Sequence, residues 1–196
     1  METREKVYFR LPGAPALPGL RFRHFTGDGD FEAMVATISA SKVADQIERS
    51  DSVEIIRNNY ENLVNCDPYR DVLIAEVDGG MAAYSRVTWY TVENPSEEQI
   101  YQSFGFVRPE WRRKGLGRAM LKYNQDLLRQ IAAGHAQDKP RFYESFCQST
   151  ELEAISLLLS DGYQEVRHGY EMVRPDLESI PDLPLPAGLE VRPALP

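Results

Sequence analysis

Cysteine is scarce: Cys66 and Cys147 are the two in the chain, far apart and in no CxxC arrangement. That excludes a disulfide-stapled scaffold and leaves two free thiols in a reducing, cytoplasmic setting as the expectation. Histidine is nearly as rare, and His24, His135 and His168 show no ligand spacing, so no metal site is expected. No apolar run is long enough to span a bilayer, and the charged start METREKVYFR lacks the apolar core of a signal segment. Positive charge is in deficit, 22 Lys and Arg against 30 Asp and Glu, which argues against a general affinity for nucleic acid or an anionic membrane. The Gly-x-x-x-x-Gly-Lys-Ser/Thr phosphate loop is also missing, which speaks against a P-loop nucleotidase.

What is present suffices for one good core. With 196 residues, 42% of them hydrophobic, the chain reads as a globular domain with some length to spare. Residues 1–19 are rich in Pro and Gly and read as an extended arm. Leu20 to Phe25 alternates as a strand, Asp28 or Asp30 can cap a helix through Ile38, and a further helix starts near Ser52. The period then changes. Asp71 to Val77 is a near-continuous apolar run, Asp78-Gly79 signals a hairpin, and Met81 to Val92 and Ile100 to Val107 are the next strands. Gly105, inside the last of these, suggests a bulge or the close approach of another backbone. Leu116 to Ile131 keeps helical spacing up to Gly134, and Phe142 to Cys147 is another strand. Thr150 with Glu153 reads as a capping box for a helix ending at Gly162, and Tyr163–Arg167 with Tyr170–Arg174 as a closing hairpin.

The densest information lies in Phe104 to Lys122, FGFVRPEWRRKGLGRAMLK. From Arg108 to Lys122 there are six cations and one acid, Glu110, inside an otherwise acidic chain. A glycine-bearing loop runs straight into a helix, whose first N–H groups lack intrahelical acceptors and carry partial positive charge. Such a place suits a phosphate or diphosphate. A dinucleotide fingerprint would need a third glycine where Met120 stands, and it would lie nearer a chain start.

The segment Val107-x-Pro109-Glu110-x-Arg112-x-x-Gly115-x-Gly117 resembles the acetyl-CoA motif of the GCN5-related N-acetyltransferases, the GNAT superfamily. The order of elements from Leu20 to Arg174 resembles that family too. The resemblance implies a mixed α/β fold: a twisted, mostly antiparallel sheet, splayed between its fourth and fifth strands, with helices on both faces. It also implies acetyl-CoA as the cofactor. The expected contacts are Phe106, Val107 and Arg108 for the pantetheine arm, and Arg112, Arg113, Lys114, Gly115, Leu116, Gly117 and Arg118 for the diphosphate. The implied activity is N-acyl transfer to a small amine or a peptide amine, by direct attack in a ternary complex.

One departure bears on chemistry. The family's later motif commonly carries a Tyr that protonates the leaving thiolate, and here Leu158 stands in its place, with Glu151 where an Asn is usual. The catalytic residues are therefore left open. Tyr101, Ser103, Glu93, Glu98, Glu144 and Cys147 are replacements in reach of the site by sequence, each more simply read as a surface, sheet or core residue. The alternative reading is a non-catalytic CoA-binding module.

The tail adds a different hint. Leu185-Pro186-Ala187-Gly188-Leu189-Glu190-Val191-Arg192 echoes Leu17-Pro18-Gly19-Leu20-Arg21-Phe22-Arg23. The expected organisation is an arm over 1–19, a GNAT domain over 20–174, and a Pro-rich linker over 175–196 that opens a second repeat. A second GNAT domain or a homodimer is the partner this implies.

Overall fold

The apolar run after Asp71 becomes β3 (Val72–Val77), buried at every residue. A strand covered on both faces needs no polar alternation, and its side chains supply two separate cores. Asp78 and Gly79 both take positive φ, the conformation of a tight type I′ connection, and β4 (Gly80–Thr91) returns antiparallel.

The computed structural model describes residues 3–48, 51–93, 95–170, 172–174, 176, 178 and 180–193, in two units divided between Tyr163 and Gln164. In the first unit β1 (Tyr8–Phe9) and β2 (Leu20–His24) precede the helices α1 (Phe31–Asp45), α2 (Val53–Glu61) and the single turn α3 (Pro68–Asp71). After β3 and β4 come β5 (Gln99–Val107), α4 (Leu116–Ala133), β6 (Arg141–Glu144) and α5 (Leu152–Ser160). The sheet has the order β1-β2-β3-β4-β5-β6, antiparallel throughout except for the parallel β5–β6 pair.

Helices cover both faces. On one, Phe25, Phe31, Met34, Ile38, Ile56 and Tyr60 pack with Val72, Ile74 and Tyr84. On the other, Leu116 and Met120 of α4 pack with Phe22, Leu73, Ala75 and Ala83, and Leu128 joins Val87 and Tyr101 further along. Among the described residues no helix is long and apolar enough to cross a membrane.

Several expectations need correction. The Pro/Gly-rich arm contains a strand, with Tyr8 and Phe9 paired to Arg23 and Phe22. It also buries Leu11. The turn at Pro68 was not foreseen, although Asp67-Pro68 is an N-cap followed by proline at the first helical position, and Asp67 accepts from the Tyr69 N–H. Thr150 and Glu153 do not form the expected capping box. α5 begins after Glu151, whose carboxylate takes the Gln148 N–H at 2.6 Å, while Glu153 lies 3.6 Å from Arg112. In the second unit the described residues form no strand, so the hairpin expected at 163–174 is not seen there. Val166, Tyr170, Met172 and Val173 are exposed, and a lone two-stranded ribbon has little to stabilise it. That unit contains local contacts such as Arg174 Nε to the Asp176 carbonyl, and a turn closed by the Leu189 N–H on Pro186.

The first unit encloses a charged network. Arg23, 2% exposed, donates to both oxygens of Asp30 and through Nε to Glu76 at 2.8 Å. Lys6 and Tyr8 also donate to Glu76, and Thr26 to Asp30. Burial alone would push the Glu76 carboxyl up, yet hydrogen bonds from Tyr8, Arg23 and Lys6 hold it below its ordinary value. Removing one partner of such a network strands the others in a dry place. Arg23→Met is expected to lower unfolding free energy by roughly 3–5 kcal/mol in urea titrations. Because the folded carboxyl titrates below its unfolded value of about 4.3, the Glu76 contribution is complete above that pH and lost as pH falls below it. Glu76→Gln is expected to remove this part of the acid limb in thermal unfolding between about pH 5 and pH 3.

Candidate functional site

Strand β5 has two edges, and its pairing fixes which residues face each. The Arg108 N–H bonds to Ala82 and the Val92 N–H to Glu98, so the even-numbered residues between them, Phe106 included, turn their backbone groups toward β4. Odd-numbered residues face the other way, as the Gln99 N–H on Pro140 shows. On that side β6 accompanies β5 only from Gln99 to Gln102. Beyond it, Gly105 and Val107 turn their backbone groups into a gap. Glu144, the last residue of β6, is held by Tyr90 at 2.9 Å and Gln102 at 2.7 Å, and Ser145 to Cys147 diverge. The strand expected to reach Cys147 is therefore shorter.

Gly105 causes no bulge. The β4–β5 register runs unbroken through it, and a Cβ there would stand 2.6 Å from the Tyr84 carbonyl oxygen and 2.7 Å from Ser85 Cβ. Close approach of the neighbouring strand is the reason for the glycine. The parting comes instead from the end of β6.

The gap opens onto the start of α4. Gly115 occupies the N-cap with φ 86°, and no side chain caps the helix. Arg113, also at positive φ, and Gly115 bend the basic loop so that Leu116, Gly117 and Arg118 begin the helix beside the parted strands. A Cβ on Gly117 would lie 3.3 Å from Leu157 and 3.9 Å from Val107, so its bareness keeps α4 close to both α5 and β5. Together these elements line a cavity of about 400 Å³.

Not all the expected residues reach this cavity. Val107, Phe106, Arg112, Arg113, Gly115, Gly117 and Arg118 line it. Leu116 is fully buried beneath, Arg108 pairs with Glu110 at 2.8 Å, and Lys114 lies over the Trp111 ring. Ser103, Cys147 and Leu158 also line the cavity, whereas Tyr101 is buried against His135 and Glu93 is exposed. A pair of residues that sequence reading missed, Ser85 and Asn124, hydrogen-bond at 3.2 Å on the cavity wall. The polar position in an otherwise apolar helix face was the available signal.

A family model described as an acetyltransferase (GNAT) domain matches residues 68–146, the stretch from α3 past β6. That match covers about two-fifths of the chain, and the likeness to acetyltransferases of this family extends to the fold. Solved structures share the fold at low identity. A GCN5-related N-acetyltransferase from Sphaerobacter thermophilus is 21% identical, with a TM-score of 0.61 over 81% of this chain and 46% of its own. The chain thus spans about half of that protein. A predicted acetyltransferase from Clostridium acetobutylicum, solved with acetyl-CoA, is 12% identical, with a TM-score of 0.57 over 79% of this chain and 96% of its own. A ribosomal-protein-alanine N-acetyltransferase from Brucella melitensis is 22% identical, with a TM-score of 0.54 over 74% of this chain and 85% of its own. No curated protein sequence matches the chain.

The first arginine of the loop is engaged by the protein itself rather than left for a diphosphate. Arg112 makes a two-pronged pair with Asp45 at the end of α1, both contacts 2.6 Å, and its Nε donates to the Val107 carbonyl at 2.9 Å. Ser41 donates to the same carbonyl at 3.3 Å. The hydrogen bond from Arg112 to Asp45 is the largest influence raising the guanidinium further above its ordinary value. Arg112 therefore fastens the loop to α1. Asp45 is only 4% exposed, so losing its partner leaves a buried carboxylate. Arg112→Ala is expected to cost on the order of 3 kcal/mol in stability. A cycle with Asp45→Ala should show the two losses far from additive, as read by chemical denaturation.

Proposed function

We propose that the chain is an acetyl-CoA-dependent N-acyltransferase acting on a small amine or a peptide amine. The observation that carries this reading is one juxtaposition. Backbone groups of β5 without a ladder partner end beside a helix start that no side chain caps. Diphosphate chemistry suits the uncapped N–H groups of Leu116, Gly117 and Arg118, with Arg113 and Arg118 supplying charge at the cavity. The amide and carbonyl groups of Gly105 and the Val107 N–H suit the amides of a pantetheine arm, the Val107 carbonyl being taken by Arg112 and Ser41. Acetyl-CoA supplies an activated thioester when bound. The cavity residues of β5 and α5, Leu157 and Leu158 among them, would hold and orient it.

The amine attacks directly, with no covalent enzyme species. Leu158 cannot return a proton to the leaving sulfur, so that proton comes from water or from another hydroxyl at the cavity; Tyr84, Ser85 and Ser103 are there. A second reading rests on the same leucine: a CoA-binding module that supports a further domain without turning over. The half-length match to the Sphaerobacter protein and the repeated linker motif favour an organisation with a second unit.

At a hundred-fold excess over its dissociation constant, acetyl-CoA is expected to raise the melting temperature by about 5–10 °C. Gly117→Val is expected to weaken binding by about tenfold or more while α4 stays helical by circular dichroism. Unchanged affinity in both Gly117→Val and Gly115→Val would remove the proposed diphosphate position. Release of CoA thiol with an amine panel separates enzyme from module, and Leu158→Tyr is expected to increase turnover with little change in acetyl-CoA affinity.

A further inference from the structure

Arg86 has no anion. It lies on β4, directly across from Phe104 of β5, and its guanidinium stands 4.7 Å from the Phe104 ring centre and 5.4 Å from that of Tyr60. Its Nε is buried without a hydrogen-bond partner. Arg57 Nε also lacks a hydrogen bond, but Asp28 stands 3.5 Å from it. Among the described residues no carboxylate plays that part for Arg86. The acids that act on its neighbours Tyr60 and Cys66 are committed elsewhere: Asp30 to Arg23, Asp71 to Arg70, and Asp67 to the Tyr69 N–H. Neither neutral neighbour provides a charge. Burial pushes the Cys66 thiol up to about 12 and the Tyr60 phenol higher still, with Arg86 the chief opposing influence on each.

An arginine left this way costs free energy that a ligand can recover. A buried donor with no acceptor is penalised, and the edge formed by Nε and one terminal nitrogen matches the two oxygens of a carboxylate or phosphate. The position is next to the cavity. Tyr84 and Ser85, the residues before Arg86 on β4, line it, as does Phe104, whose ring is shared between Arg86 and the lining residue Phe146. Aromatic walls also lower the local polarity, which strengthens a charge pair formed there.

We infer that Arg86 is the recognition point for an anionic group on the acceptor, so that the amine acetylated here also carries a carboxylate or phosphate. This rests on the acyltransferase reading above.

The test pairs acceptors that differ in the anion alone: leucine and glutamate against their α-amides, and ethanolamine phosphate against ethanolamine. Release of CoA thiol is expected to favour the anionic member of at least one pair by about tenfold or more in kcat/KM. Arg86→Gln should bring that ratio close to one, and Arg86→Lys should retain part of it. Equal use of both members by the natural chain, or a preference that survives Arg86→Gln, overturns the inference. If no acceptor turns over, the CoA-saturated protein is titrated calorimetrically with N-acetyl-leucine, N-acetyl-glutamate and ethanolamine phosphate. Binding that Arg86→Gln abolishes supports the site, and absence of binding overturns it. Acetyl-CoA melting shifts are measured in parallel on each variant. Their persistence in Arg86→Gln shows that the cofactor reading stands whatever becomes of the acceptor, and their absence in the natural chain shows that the cofactor reading itself has failed.

Discussion

A β-strand offers hydrogen-bonding groups along both edges, and past Gln102 the strand β5 has, among the described residues, a neighbour on one edge only. Every feature of the candidate site follows from this asymmetry. The strict alternation along β5 sends Gly105 and Val107, rather than Phe106, toward the open side. The opening exists because Glu144 is anchored by two side chains of β4 and β5 while the residues after it leave the sheet. Since α4 begins at the same end of β5, an uncapped helix start and unmatched strand groups meet around one cavity.

The loop before α4 divides its labour between backbone and side chains. Its amides are the groups suited to a bulky anion, since the macrodipole adds to them and glycine leaves them accessible. Its first arginine works inward, holding Asp45 and the Val107 carbonyl at once. This joins α1, β5 and the loop through one planar group. The end of α1 and the β5 wall of the cavity thus share a fastening.

Much of this was legible in the sequence because the deciding patterns are local. The apolar run of β3, the Asp78-Gly79 turn and the helical face of α4 need only a few neighbouring residues to be recognised. The glycine loop was legible for the same reason. What escaped depends on distant partners. Nothing local says that Arg112 will find Asp45, that Glu153 will turn toward Arg112 instead of capping α5, or that Gly105 is required by Ser85 across the ladder. Two residues of strand inside a Pro-rich arm carry too little pattern to notice, and only their pairing with Arg23 and Phe22 defines them. The 163–174 segment failed in the opposite sense: its alternation is clear, but alternation describes a surface that wants a neighbour and does not supply one.

The convergence of Lys6, Tyr8 and Arg23 on a single glutamate changes where the folding unit begins. A shortened version starting at Leu20 would delete two of the three donors and bare the outer edge of β2, while the acid stays in place. Lys6 to Phe9 are therefore part of the architecture, and any trimmed form meant for solution work has to begin upstream of Lys6.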